Sequence, residues 1–294
     1  MTRWQAVAAA VLPVLLLSGP SLSSQKRSFS SSTLAVSVDV LVTDGRNPVA
    51  GLTAADFELR DNDVLQTIDL VDTSDVPVNA VLALDTSAST AGQRQRDLIA
   101  ASEALIDGLR PADRAALITF SHAVFPRIGL TSDLAAVRSE LRRITPAGET
   151  AIMDGTYVAL TATLSQSGRS LVVVCTDGYD TSSWLQPEEV LESAKRSSAV
   201  IYAVTAAEAR RRSPLKDLTD ATGGHMLPVA ANGDLRGAFQ RILGDFRSRY
   251  ILAYSPQGVP TDGFHRLDVR VKRRGLTVKA RPGYIGVGPA RSVQ

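Results

Sequence analysis

The sequence predicts an α/β protein: a doubly wound, mostly parallel sheet inserted in a small β-sandwich that the two flanks build together. Three observations carry this. Between Asn79 and Arg249, short apolar runs alternate with amphipathic helical segments, as expected of a parallel sheet covered by helices on both faces. Before and after that region, apolar and polar residues alternate with period two, the pattern of half-buried strands. Finally, the flanks (34–77 and 250–286) total roughly 80 residues, and neither alone has strands enough for a stable sandwich.

In chain order, Met1–Ser24 reads as a secretory signal peptide, with Arg3 as the positive region, Ala6–Leu17 as the apolar stretch and serines and Gly19 for cleavage. At roughly a dozen residues the apolar stretch is short of the ~20 needed to span a bilayer. Residues 25–33 are a Ser-rich flexible lead-in. Val36, Val38, Val40 and Val42 then define a strand, Asp44-Gly45 a turn, Phe57 and Leu59 a second strand, and Val64–Val71 a third.

The inserted region, 78–249, starts with the wholly apolar Val81–Leu84. Gln93–Leu109 places Leu98, Ala101, Leu105 and Leu109 on one helical face, interrupted by Ser102. Ala115–Phe120 and Ala123–Leu130 are strands joined at Ser121-His122; Asp133–Ile144 and Ala151–Leu164 are helices. Ser170–Cys175 is a buried strand, Pro187–Ser197 a helix with Pro at its start, and Val200–Val204 and Met226–Val229 are strands. Leu235–Phe246 is the cleanest amphipathic helix, and it feeds directly into strand Tyr250–Tyr254. Leu267, Val269 and Val271 alternate with charged residues, Arg273-Arg274-Gly275 reads as a hairpin turn, and Leu276, Val278 and Ala280 as its return strand. Residues 287–294 form a tail.

A chain of 294 residues with 44% hydrophobic residues can bury a sizeable core. Its net charge of +2 loses one positive charge with residues 1–24, so nothing calls for nucleic acid or an anionic surface. No later segment is apolar and long enough to span a membrane. The lone Cys175 lies in an apolar run and can form no internal disulfide.

The chemistry lies at the strand ends. Asp85 closes the first apolar run of the inserted region, and Ser87 and Ser89 follow at spacings of two. Asp177 closes a second such run, and Thr150 precedes a helix. Open α/β sheets bind ligands at the carboxyl ends of their strands, and an extended loop would point Asp85, Ser87 and Ser89 the same way. Two carboxylates and three hydroxyls make an oxygen-only donor set, suited with added water to Mg²⁺ or Mn²⁺, with Ca²⁺ the poorer fit. Each residue also has a plain structural role open to it: Ser89, Thr90 or Thr150 as helix caps, Asp177-Gly178 as a turn.

Asp85-x-Ser87-x-Ser89, Gly148-Glu149-Thr150-Ala151 and Thr176-Asp177-Gly178 together resemble the metal-ion-dependent adhesion site of von Willebrand factor type A domains. The resemblance runs from about Pro77 to Arg249 and implies that Asp85, Ser87, Ser89, Thr150 and Asp177 hold the cation. Glu149 stands where the family usually has a second glycine, which alters the loop or adds a carboxylate near the metal. The flanks are similar to bacterial exported "VWFA-related" proteins at Val38–Asp44, Gly51-Leu52-Thr53 with Asp56-Phe57, Tyr250–Tyr254 and Arg281-Pro282-Gly283-Tyr284. The inserted arrangement also looks like integrin β subunits, as a fold analogy.

The function expected is metal-dependent binding or adhesion outside the cytoplasm (periplasmic, cell-surface or secreted), with an Asp or Glu of a protein partner completing the cation's coordination. Glu149, Asp180, Thr181 and Trp184 are the candidates for the partner-facing rim, with a solvated loop the alternative for Asp180 and Thr181, and core packing for Trp184. The rival is a hydrolase using the cation to activate water, for which Glu149 and Asp180 are the nearby bases. Ser87 stands where a haloacid-dehalogenase-like enzyme needs its second Asp. No Gly-x-Ser-x-Gly elbow or glycine-rich phosphate loop is present. His225 reads as a loop residue and Arg210-Arg211-Arg212 as a solvated group.

Overall fold

The structure is a computed structural model and describes residues 35–71, 76–164, 166–206, 213–230 and 233–286. The expected leader (1–24), lead-in (25–33), tail (287–294) and Arg210-Arg211-Arg212 lie outside the described residues.

The amino-terminal flank supplies β1 (Val36–Asp44), β2 (Asn47–Pro48), β3 (Phe57–Asp61), β4 (Val64–Leu65) and β5 (Asp69–Val71). The inserted region follows as β6 (Val78–Asp85), α1 (Gln93–Asp107), β7 (Arg114–Phe120), β8 (Val124–Thr131), α2 (Leu134–Leu141) and α3 (Ile152–Thr161). It continues as β9 (Arg169–Thr176), α4 (Pro187–Arg196), β10 (Val200–Ala206), α5 (Leu215–Ala221), β11 (Met226–Val229) and α6 (Leu235–Arg247). The carboxyl flank adds β12 (Tyr250–Tyr254), β13 (Gly263–Val271), β14 (Thr277–Lys279) and β15 (Gly283–Gly286).

The central sheet runs β11-β10-β9-β6-β7-β8, all parallel except β8. Every residue of β6 is buried, and its side chains divide between the two faces. Ala80, Leu82 and Leu84 join Leu98, Leu105, Val137, Phe239 and Phe246, so α1, α2 and α6 cover that face. Val81 and Ala83 join Ile152, Leu160, Val190 and Leu218, so α3, α4 and α5 cover the other. Helix α6 shows what holds these helices in place. Gly237 and Gly244 each cost its helical propensity about 1 kcal/mol, whereas fully burying Phe239, Ile242 and Phe246 contributes ~1.5–3 kcal/mol apiece. Packing therefore wins. In α3, Gly155 lets the helix lie against Phe120, whose ring a Cβ would meet at 2.5 Å.

The flanks interleave as expected. One sheet runs β14-β1-β12-β5 with β2 beside β1, the other β15-β13-β3-β4, and each mixes strands from both ends of the chain. Val38, Val40, Val42, Phe57, Leu59, Leu252, Tyr254 and Leu267 form the core between them.

Several local expectations need correction. The single strand expected at Val64–Val71 is two, β4 and β5, which sit in different sheets. The crossover is held at buried Gln66, which donates to Val64 O and Gln257 O and accepts from Gln257 N–H. The hairpin expected at Arg273-Arg274-Gly275 does not form: β13 pairs with β3 and β15, while β14 crosses over to pair with β1. Helix α5 was missed, because seven residues are too few to show a clear period. Helices α2 and α3 are each shorter than expected, and Asp133 is the N-cap of α2, accepting from Ala136 N–H at 3.0 Å.

The polar face of β1 meets the inserted region rather than solvent. There the Arg169 guanidinium donates to Asp39 at 2.5 Å and to Phe246 O at 3.0 Å, and lies over the Phe246 ring. Arg249, 2% exposed, donates to Tyr202 Oη at 3.1 and 3.2 Å, to Gly223 O at 2.5 Å and to Asp39 O at 3.3 Å. Arg281 reaches Lys195 O at 3.0 Å. Three arginines thus stitch the flanking sheets to the α/β unit. Only Ser248 and Arg249 separate α6 from β12.

Candidate metal centre at the strand ends

Strands β6 and β9 are parallel neighbours, so Asp85 and Asp177 emerge at the same edge of the sheet. Asp85 is 1% exposed and fixed on both oxygens: Oδ1 accepts from Ser87 N–H at 2.8 Å and Oδ2 from the Thr176 hydroxyl at 2.5 Å. Burial pushes its carboxyl above the usual carboxylate range, and the hydrogen bonds from Ser87 and Thr176 only partly offset this.

Ser87 and Ser89 converge, but not through an extended loop. Ala88–Thr90 forms a single 3₁₀ turn, and Thr90 hydroxyl donates back to Ser87 O at 2.8 Å. The turn brings Ser87 Oγ and Ser89 Oγ to 3.0 Å, and Ser89 Oγ donates to Asp177 Oδ1 at 3.0 Å. Neither Ser89 nor Thr90 caps α1, whose N-cap is Gly92.

A third loop is laced to the first. Ala147 N–H donates to Thr86 O at 2.8 Å and Ala88 N–H to Gly148 O at 3.0 Å. Gly148 has φ +79°, and a Cβ there would also collide with the His122 ring, so glycine is required at this bend. Thr150 is buried and its carbonyl accepts from Thr181 and Ser182 N–H at 2.9 and 3.2 Å, which ties it to the loop after Asp177. Among the described residues Thr150 Oγ1 has no hydrogen-bond partner, and it does not cap α3.

That capping falls to Asp180. Its Oδ2 accepts from Met153 N–H at 2.9 Å and from the Ser183 hydroxyl at 2.7 Å, and its Oδ1 from Ser183 N–H at 3.0 Å. Both Asp180 oxygens are thus engaged within the protein, tying the start of α3 to the loop after Asp177. Thr181 hydroxyl accepts from Thr150 N–H at 3.0 Å. Glu149 is exposed. Trp184 is 89% exposed, which removes core packing as its role; its N–H is held by Asp154 at 3.0 Å.

Sequence reasoning missed Arg94. It lies in the first turn of α1, and its guanidinium is ion-paired with Asp177 Oδ2. The one signal available was a basic residue nine positions after Asp85. Cys175, buried beneath the site, has its thiol pushed well above its ordinary range by burial and then by the charges of Asp85 and Asp177.

Among the described residues no three His, Cys, Asp or Glu side chains are grouped to hold a metal ion. A cation here would depend on hydroxyl and water oxygens beside two carboxylates, and the donor set fits a hard divalent ion on those terms. Two features favour that fit. The Ser89 hydroxyl reaches Asp177 and the Ser87 hydroxyl reaches Ser89, and Thr150 Oγ1 is uncommitted.

The von Willebrand factor type A domain pattern matches residues 79–241. The chain belongs to that family, as its doubly wound sheet and strand-end motif indicate. No curated protein matches the sequence. Among solved structures, proximal thread matrix protein 1 from the mussel byssus, with a zinc-occupied MIDAS motif, is similar at 16% identity and a TM-score of 0.52. The match covers 63% of this chain and 49% of that one. An aerotolerance-related membrane protein of Bacteroides fragilis is similar at 19% identity and TM-score 0.49, over 57% of this chain and 98% of that one. The vWF domain of the type V pili tip protein Mfa5 from Porphyromonas gingivalis is 24% identical with TM-score 0.34, over 36% of this chain and 39% of that one. The chain thus spans less than two thirds of the mussel and Mfa5 chains. Among the described residues no helix is long and apolar enough to cross a membrane.

Proposed function

We propose that this protein is an exported, non-enzymatic binding or adhesion protein that uses a divalent cation to capture an acidic residue of a protein partner. Asp85, Ser87, Ser89, Thr150 and Asp177 would hold Mg²⁺ or Mn²⁺. The observation that carries the reading is the continuous chain Ser87–Ser89–Asp177 beside Asp85, at the carboxyl edge of a parallel sheet. Bound there, the ion would supply Lewis acidity to an oxygen ligand from outside. The reported zinc-occupied motif of the mussel byssus protein is in keeping with a divalent ion at such a site. Residues 78–249 act as the binding head and the flanks (34–77 and 250–286) as its carrier. Exposed Trp184, Thr181 and Glu149 are the candidates for partner contact.

Binding is favoured over hydrolysis by the state of the candidate bases. Both oxygens of Asp180 are engaged at the start of α3, and Glu149 stands exposed. Calorimetric titration of Mn²⁺ and Mg²⁺ tests the reading. Wild type takes up one ion per chain and Asp85→Ala takes up none; uptake that is unchanged in Asp85→Ala, or absent from wild type, rejects it.

A further inference from the structure

Arg94 breaks a local rule. The first turn of a helix carries the positive end of the macrodipole and favours anions, yet α1 places a guanidinium there. What holds it is Asp177, whose side chain is 10% exposed and whose Oδ2 takes the Arg94 guanidinium while Oδ1 takes the Ser89 hydroxyl. Both oxygens of one proposed metal ligand are therefore engaged, by two groups of different character. A serine hydroxyl can rotate its proton away and offer a lone pair to an ion. A guanidinium has no lone pair to offer; it must leave or repel.

We propose that Arg94 is a tethered competitor for the divalent cation: its guanidinium occupies Asp177 until an ion displaces it. The inference rests on the metal-binding reading above. Arg94's own geometry supports displacement, since its side chain is 40% exposed and can swing into solvent at the mouth of the cleft it shares with Asp85, Thr90 and Asp97. No other cationic side chain bonds to Asp85 or Asp177 among the described residues. Arg96, two residues on, is turned to Gln93 instead. The consequence is a site that discriminates by charge density. A compact divalent ion gains more from Asp177 than the diffuse guanidinium does, whereas monovalent ions do not. Ion entry also frees the Arg94 guanidinium from Asp177, leaving its full fork of donors at the rim, the geometry that pairs with a carboxylate.

The test is Mn²⁺ and Mg²⁺ calorimetry on wild type, Arg94→Gln and Arg94→Lys, with Asp85→Ala as the site control. Gln keeps helix propensity while removing the charge and shortening the side chain; Lys keeps the charge but loses the fork. Losing an exposed ion pair and a nearby repelling charge makes Arg94→Gln bind Mn²⁺ about five- to tenfold more tightly than wild type. Arg94→Lys falls between them. Equal or weaker binding by Arg94→Gln overturns the competitor role while leaving the metal site standing. Absence of Mn²⁺ uptake by both wild type and Arg94→Gln removes the metal site itself, and the competitor with it. Should Arg94→Gln fail to fold, Arg94→Lys binding no more tightly than wild type overturns the proposal.

Discussion

Replacing Arg249 by methionine probes the seam between the α/β unit and the flanking sheets. Methionine keeps a flexible apolar stem of similar reach but removes the guanidinium. Two buried acceptors, Gly223 O and Tyr202 Oη, and the part-buried Asp39 O then lose this donor. Each stranded acceptor costs ~1–3 kcal/mol, and tyrosine can partly compensate by turning its own proton toward a carbonyl. Against this stands relief from desolvating a buried cation, which amounts to a few kcal/mol in comparable sites. The net expectation is a loss of about 3 kcal/mol. With an m value of about 3 kcal/mol/M for a chain of this size, the urea midpoint falls by roughly 1 M. Equilibrium unfolding followed by far-UV circular dichroism reads it. A midpoint shift below ~0.3 M, or a gain in stability, refutes the reasoning that Arg249 holds the seam through those acceptors.

Two further outcomes concern pH and the base of the sheet. His225 has its pKa lowered to about 4, first by burial and then by Lys279, Arg249 and Arg241, with Asp245 facing it at 3.8 Å. The unfolded chain therefore binds this proton more readily. Stability is whole above pH 6.5 and falls as pH drops toward 4, by up to about 3 kcal/mol; His225→Gln flattens that part of a stability–pH curve, and an unchanged slope counts against the assignment. At Asp113, burial raises the carboxyl, but hydrogen bonds from Val78 and Arg110 N–H and from Arg247 outweigh it and hold the pKa below its ordinary 3.8. Its contribution is present above pH 3.8 and lost as pH falls further, and Asp113→Asn costs ~2–3 kcal/mol at neutral pH by thermal or urea unfolding.

Asp85 and Asp177 were legible as strand-end residues because each sits where an apolar run gives way to polar residues, and that punctuation survives folding. Asp85 and Asp177 end strands that the core demands, so their placement follows from burial alone. The central sheet was legible for the same reason. Arg94 was not, because the direction of a long side chain in the first turn of a helix depends on what lies across the cleft. Asp180 looked like a rim residue by its distance from Asp177, yet the open N-terminus of α3 had greater need of it. Nothing in the sequence sets Arg169 or Arg249 apart from other arginines; only the docking of two layers buries them against carbonyls. The crossovers at Gln66 and after Arg274 were hidden because period-two patterning tells which residues face inward, not which sheet a strand joins.

Strand β1 has its main partner, β12, at the far end of the chain, and Arg249 binds Asp39 across 210 residues of sequence. A polypeptide made or threaded from its amino terminus displays β1 before β12 and must hold most of that valine-rich ribbon, beyond its short pairing with β2, unpaired while the entire α/β body emerges. The inserted body can complete its own sheet in the meantime, since none of its six strands borrows from the flanks. Maturation is thus staged by geometry: the head is ready before its carrier closes. During that interval the exposed ribbon is the segment most in need of a chaperone's protection.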